Sequence, residues 1–538
     1  MQQSLRVSFF VGLVFFLVFF YGTGIADPPR TMGLIFRDST ATSPGYTLFQ
    51  PQYYNVAYLI DIDGMLVHSW TGRYNPGSSV YLCENGFLLR TCAINNYFGV
   101  LGGRVELVDW DGNVVWSYNY SNYNVCQHHD AIMLPNGNIL MIASERKTRS
   151  EAIATGRNPE KLTENFLYPD HLVEIDPDNN DIVWEWHLWD HLIQDYDSTK
   201  ANYGDPREHP ELVDINFTPN GPQADWIHSN AVAYNPELDQ VIVSSRHLSE
   251  LWVIDHSTTG EEARGHSGGR YGKGGDLLYR WGNPRSYRRE GAIPQTLFYQ
   301  HDAQWIALGL AGAGNILVFN NGTGRNLAMY SSVDEFVPPM DSLGFYHLGE
   351  DSAYGPNAPV WQYTATPRES LYSPFMSGCQ RLPNGNTLIC NAITGTFLEV
   401  TPDSRLVWKY INPVTNQGPQ EQGQVLPRGS NQVFKVRRYP PDYPGLAGRN
   451  LDPIGPIETY PQGVYDQPVH NFCHDLCPAL VQGFITLNGV ESAEMVDVTG
   501  RHKMRLTTGK NDIRHMPAGV YFVVTHGSPK GEKVIVRR

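Results

Sequence analysis

The sequence predicts an all-β protein, a six-bladed β-propeller followed by a small antiparallel β-sandwich. Three observations predict it. Among 538 residues, 51 Gly and 37 Pro accompany 12% aromatic and only 18% charged side chains, the profile of a turn-rich β chain. One pattern then recurs: an apolar strand, a tight turn, a second strand, a strand carrying an acidic residue, a turn, and a strand bearing Trp. Its terminal aromatics, Trp70, Trp116, Trp184, Tyr279 with Trp281, Trp361 and Trp408, count six units. Four-stranded units repeated radially leave only short, protected edges.

In chain order, residues 1–26 read as a signal peptide. Arg6 precedes a 13-residue apolar run from Phe9 to Tyr21, and Gly24-Ile25-Ala26 supplies the small residues of a cleavage site after Ala26. As a helix that run spans about 20 Å, short of a bilayer core of about 30 Å, so the chain is expected to be exported. The propeller occupies residues 32–446. Its clearest copies are "HDAIMLPNGNILMIAS" from His129 with "HLVEIDPDNNDIVWEW" from His171, and "SGCQRLPNGNTLICNA" from Ser377 with "TFLEVTPDSRLVWKY" from Thr396; both turn at Asn-Gly, the strongest short hairpin signal. Weaker copies start at Tyr81, His228 and His301. The unit ending at Trp70 lacks a first hairpin and "SNQVFKVRRY" from Ser430 lacks a second, so the two ends are expected to share one blade. Insertions at 145–170, 190–225, 256–275 and 323–358 leave room for hidden strands and hence for a seventh blade.

Residues 447–483 form a Pro/Gly-rich linker, and 484–538 resume short strands as a separate module. That tail holds nine Lys or Arg against five Asp or Glu in a chain of net charge −15. The acidic balance excludes long-range attraction to nucleic acid or anionic lipid. Cys379 and Cys390 flank an Asn-Gly turn, and a two-residue loop would set them opposite each other for a cross-strand disulfide. The cluster His470, Cys473, His474, Cys477 has ligand-like spacing, yet it sits in the linker, where a local disulfide or free thiols fit better than zinc.

Chemistry is expected where the inner strands begin. His129, His228, His301 and Ser377 stand at the same repeat position, and those starts converge on one mouth of a propeller channel. Asn230 alternates back to the face of His228, and Arg246 lies on the returning strand. A guanidinium beside imidazoles suits an anionic substrate group, which its planar fork binds bidentately. The residues leave two other readings open. The histidines with Gln127 or Gln300 could hold a divalent metal for a lyase or hydrolase, and a non-catalytic propeller could bind glycans or sulfated polymers. No Walker-type Gly-rich loop is present, so no nucleotide donor or other cofactor is expected.

At "HHDAIMLPNGN", "HSNAVAYNPELDQVIVSSR", "QHDAQW", "GNILVFNNG" and "SGCQRLPNGNTLI" the chain resembles the arylsulfotransferase family, from about Met32 to Leu446. The resemblance implies a propeller enzyme that moves a sulfuryl group from an aryl sulfate donor to a phenolic acceptor. By it, His301 is the transiently sulfated nucleophile, while His129, His228, Asn230 and Arg246 bind the sulfuryl group. Ser377 and Asn320 are further substrate-binding candidates; Asn320 stands where Asp is expected. The tail is similar to the C-terminal sorting domain of the type IX secretion system in "DVTGR", "MPAGVYFV" and the closing "KVIVR". That implies secretion machinery as a partner.

Overall fold

The computed structural model describes residues 30–460 except 292, 326–328 and 350–351, and beyond them 479–481, 484–497, 501–517, 519–525 and 532–536. The signal segment and the His470/Cys473/His474/Cys477 cluster lie outside the described residues.

Each predicted repeat folds as one antiparallel sheet. The first contains Tyr46–Phe49, Val56–Ile60 and Met65–Thr71; the second Pro76–Leu82, Leu88–Ala93, Gly103–Val108 and Val114–Asn119. The third contains Val125–Met133, Ile139–Glu145, Asp170–Ile175 and Ile182–His187; the fourth Ser229–Asn235, Gln240–Ser245, Glu250–Asp255 and Tyr279–Trp281. The fifth contains His301–Trp305, Ile316–Asn320, Ser332–Phe336 and Trp361–Tyr363; the sixth Gly378–Arg381, Thr387–Asn391, Thr396–Val400 and Leu406–Ile411. Ser332–Phe336 is a strand concealed in the 323–358 insertion, and it completes the fifth sheet rather than starting another.

Both ends of the chain join sheets made elsewhere. Arg437–Tyr439 adds to the inner edge of the first sheet through Tyr46↔Tyr439 and Leu48↔Arg437. Gly33–Arg37 adds to the outer edge of the sixth, against Leu406–Ile411.

The terminal tryptophans have a common physical role. Each indole N–H donates to the neighbouring sheet's connection: Trp70 to Asp109 O at 3.0 Å, Trp116 to Asn180 Oδ1 at 2.9 Å, and Trp184 to Thr258 Oγ1 at 3.1 Å. The series continues from Trp281 to Pro356 O at 2.9 Å and from Trp361 to Pro402 O at 2.8 Å, then returns from Trp408 to Ile62 O of the first sheet at 2.8 Å. Hydrophobic clusters follow the same cycle. Leu140 and Trp184 of the third sheet pack with Val241 and Trp252 of the fourth, and Phe397 and Trp408 of the sixth pack with Tyr58 and Ile60 of the first. An aromatic ring fills the wedge between diverging sheets while its polar edge finds a partner.

The hairpin turns differ from the two-residue loop. Leu382 N donates to Asn386 O and Gly385, at φ +86°, donates back to Leu382 O, a three-residue loop with a glycine bulge. The extra residue shifts the register, so Cys390 pairs with Gly378 and Cys379 with Ile389. The two thiols therefore face opposite sides of the sheet, in different hydrophobic clusters, and both are free, which corrects the expected disulfide. In the tail, the described strands form one five-stranded sheet. Ala479–Val481 runs parallel to Glu532–Val536, the other pairings are antiparallel, and Ala493, Met495 and Leu506 make its small core.

Candidate active site

The inner strands of the third, fourth and fifth sheets are bulged at their histidines. Their ladders slip between Gln127 and Ala131, between Ser229 and Ala231, and between His301 and Gln304. His129 and His228 each take φ +55°, a left-handed conformation that costs a non-glycine residue energy and is kept where surrounding structure imposes it. His129 lies within its slip, His228 just before one and His301 at the start of one, and His129, His228, His301 and Arg246 converge on one cavity of about 600 Å³. Phe98, Tyr168, Phe375, Met376 and Phe434 give that cavity an apolar wall, and Asp225 and Glu164 are its carboxylates.

Hydrogen bonds assign the tautomer of His301. The Asn321 amide donates to Ser373 O at 2.8 Å and Met376 O at 2.9 Å, which leaves its Oδ1 to accept from His301 Nδ1 at 2.7 Å. The proton is on Nδ1, and the Nε2 electron pair accepts from the Met376 N–H at 3.1 Å. His301 is 2% exposed. Burial, reinforced by the Arg246 charge, holds its pKa well below the ordinary imidazole value, so the ring is neutral.

The other two rings sit in carboxylate relays. His228 Nδ1 donates to Asp225 Oδ2 at 2.5 Å. Burial alone would raise the Asp225 carboxyl, but the His228 and His247 rings outweigh it and hold the group ionised far below its usual range. His129 Nδ1 meets His128 Nδ1 at 2.8 Å, and His128 Nε2 meets Asp170 Oδ1 at 3.1 Å. The His129 and His228 ring centroids are 4.7 Å apart. Burial first, then the His228 ring, keeps the His129 pKa well below the ordinary value.

Arg246 has no carboxylate partner among the described residues. Its Nη1 donates to His247 Nε2 at 2.8 Å, its guanidinium lies 4.5 Å from the Tyr299 ring centroid, and its Nε is buried without an acceptor. A half-buried guanidinium whose Nε is shielded from water without an acceptor suits an anion.

Beneath the cavity, the residues after two of the histidines build its support. Lys435 Nζ lies 2.7 Å from Asp130 and 3.3 Å from Asp302, while Arg437 forks onto Asp302 at 2.5 and 2.9 Å. Burial opposes both positive charges, but Asp130, with Asp302, outweighs it at Lys435 and Asp302 outweighs it at Arg437, so both pKa values are raised. The segment that closes the first sheet therefore clamps the strands carrying His129 and His301.

Three expected site residues fall outside the cavity wall. Ser377 is fully buried, with Oγ accepting from Ala392 N at 3.0 Å. Asn320 faces away, holding Phe298 N, Thr296 O and Asp334; strand alternation gives the site-facing role to Asn321. Asn230 donates to Gln300 O at 2.8 Å, and so steadies the strand carrying His301. Sequence reading missed Asp225, Asn321 and Met376. Asp225 stands three residues before His228, a detectable spacing, whereas the contacts of Asn321 and Met376 arise only between sheets.

The description "Arylsulfotransferase (ASST)" belongs to the family model that matches residues 38–266. An arylsulfate sulfotransferase of Lelliottia amnigena is 23% identical over 351 residues, covering 60% of this chain and 54% of its own length. That of Escherichia coli O6:H1 strain CFT073 is 26% identical over 180 residues, 31% of this chain and 28% of its own. The chain thus spans about half the length, or less, of these curated relatives. A protein of unknown function from Bacteroides caccae aligns over 74% of this chain and 99% of its own, at 13% identity and TM-score 0.41. The matched stretch contains His129, His228, Asn230 and Arg246 and ends before His301. Together the family-model match and the two curated sulfotransferases support the arylsulfotransferase family as the relatives of this chain.

Proposed function

We propose that the chain is an exported aryl-sulfate sulfotransferase on a six-bladed β-propeller, residues 32–446, acting through a sulfo-histidine at His301. The observation that supports this reading is the pairing of a neutral imidazole on the cavity with a half-buried guanidinium that has no carboxylate partner among the described residues; the Met376 N–H must leave His301 Nε2 before that nitrogen attacks. A sulfate monoester anion repels anionic nucleophiles, so a neutral attacker suits the first step and the sulfuryl oxygens must be neutralised in both. Arg246 meets the sulfuryl oxygens. The His301 Nε2 pair forms the N–S bond as the S–O(aryl) bond breaks, and the departing phenoxide takes a proton from the His228 imidazolium that Asp225 supports. In the second half, His228 removes the acceptor phenol's proton, the phenoxide attacks sulfur, and the S–N electron pair returns to Nε2. The phenol product and sulfated acceptor balance donor and acceptor, with no nucleotide.

The tail from 484 is read as a type IX secretion sorting domain and residues 447–483 as its linker. A second reading rests on Asp225, His228 and His247, whose ligand atoms are close enough to share a metal ion. Both His247 nitrogens are engaged in hydrogen bonds, Nε2 by Arg246 and Nδ1 by Asp225 O at 2.8 Å, so a metal there would have to displace one of them. Enzyme quenched with a chromogenic aryl sulfate should gain about 80 Da, the mass of SO₃, on the peptide containing His301. Turnover without that adduct, abolished by a chelator and restored by metal, would replace this reading with the hydrolytic one.

A further inference from the structure

A second cluster of titratable side chains lies in the insertions, away from the cavity just described. His191 follows the third sheet, while His266 and Asp276 belong to the segment between the third and fourth strands of the fourth sheet. His191 Nδ1 and His266 Nδ1 both stand 2.8 Å from Asp276 Oδ1. One ligand atom from each residue falls within 4.8 Å of the other two.

The packing around His191 orients it as a ligand. Its side chain is 0% exposed and stacked on Trp186, with 2° between the planes. Trp186 Nε1 donates to Gly275 O at 2.7 Å, and a Cβ on Gly275 would lie 2.6 Å from His191 Nε2. Only glycine permits that approach. His191 Nε2 is 2.9 Å from the carbonyl of Ala263, which can only accept. The Nε2 atom therefore carries a proton, which leaves Nδ1 to meet the carboxylate oxygen through a second proton or a metal ion. Two acceptors at 2.8 Å need a cation between them. An outer N–H held by a backbone carbonyl is the usual support of a metal-bound imidazole.

We propose that His191, His266 and Asp276 form a site for a divalent transition ion of the zinc type. Two imidazoles and a carboxylate suit such an ion, and tetrahedral donor atoms each about 2.0–2.1 Å from it lie about 3.3 Å apart, so the two 2.8 Å contacts widen slightly when it binds. His266 is largely exposed and lines a cavity of about 490 Å³ together with Trp189, Asp190 and His209. The site thus has an open side, where water or a small ligand completes the coordination. The ion ties the insertion after the third sheet to the one within the fourth. It is independent of sulfuryl transfer, which neither needs nor supplies it.

Tag-free full-length protein, stripped with a chelator and dialysed, is titrated with Zn²⁺ by calorimetry, and bound metal is counted by mass spectrometry. One zinc per chain and a rise in Tm on loading are expected. His266→Ala, an exposed substitution that leaves the packing of His191 intact, should weaken binding about tenfold or more, as should Asp276→Asn, while His247→Ala should bind zinc like wild type. No binding in the micromolar range would overturn the site and leave a proton as the cation between His191 and Asp276. Equal affinity in His266→Ala would also overturn it, by placing the metal elsewhere.

Discussion

Reactivity in the cavity turns on which imidazole nitrogen holds a proton. Asn321 is locked by two carbonyls and therefore presents an oxygen to His301 Nδ1. Burial and Arg246 then keep the ring uncharged. The sign for pH follows: the nucleophile is lost only when pH falls through its folded pKa, which lies well below 6.5. The His301 sulfation step, measured with a good leaving group in a single turnover, should keep its rate at about pH 5.5, a unit below the ordinary imidazole pKa. A midpoint near 6.5 assigned to His301 would contradict this. Arg246→Ala should lose on the order of 10²–10³ in kcat while still labelling His301 slowly. Arg246→Lys should recover little, since a point charge does not replace the planar fork. His301→Ala should abolish both half-reactions, and normal transfer in that variant would remove the nucleophile assignment.

Strands and their turns carry the next level of organisation. Each terminal Trp joins its sheet to the following one, so Trp408→Phe keeps the ring packing and removes one hydrogen bond between the sixth sheet and the first. A loss of about 1 kcal/mol is expected in denaturant unfolding. Trp408→Ala should cost about 3–5 kcal/mol through the cavity it leaves. The closing strand is more sensitive. Lys435→Met removes the cation between Asp130 and Asp302, leaving Asp130 buried without it, and should destabilise by about 3–5 kcal/mol. It should also lower sulfuryl transfer, because Asp130 and Asp302 adjoin His129 and His301. Stability and rate both unchanged in Lys435→Met would refute the supporting role of the quartet. In-phase histidines and the recurring Trp were legible in the sequence because both follow the repeat. The hairpin register was not, since one residue in left-handed geometry at Gly385 moves every pair, including Cys379 and Cys390.

For the molecule as a whole, buried imidazoles set opposing pH limits. His171 and His247 are pushed down to about 4, chiefly by burial, so they are neutral when folded and take up protons when unfolded. Stability should therefore fall as pH drops from about 6.5 towards 4. His187 and His256 move the other way, to about 9: burial opposes their charge, but Glu145 and Glu185, or Asp239 and Glu174, outweigh it. Their contribution is complete below about 6.5 and is lost as pH rises through 9. Tm should thus be highest near neutrality, and His256→Gln should lower it at pH 7 but hardly at pH 10. An equal deficit at both values would show that His256 acts by packing alone. Composition and repetition determined the all-β class and the sheet-forming segments and singled out the recurring histidines, because period-two alternation, turn residues and repeat position are local properties of a chain. Only the tertiary structure decided that Asn321 rather than Asn320 faces His301, that Ser377 is internal, and that Lys435 and Arg437 lie beneath the site. Those outcomes depend on which side chains different sheets bring within about 3 Å of one another, the reach of a hydrogen bond, and residues more than 100 positions apart become neighbours there.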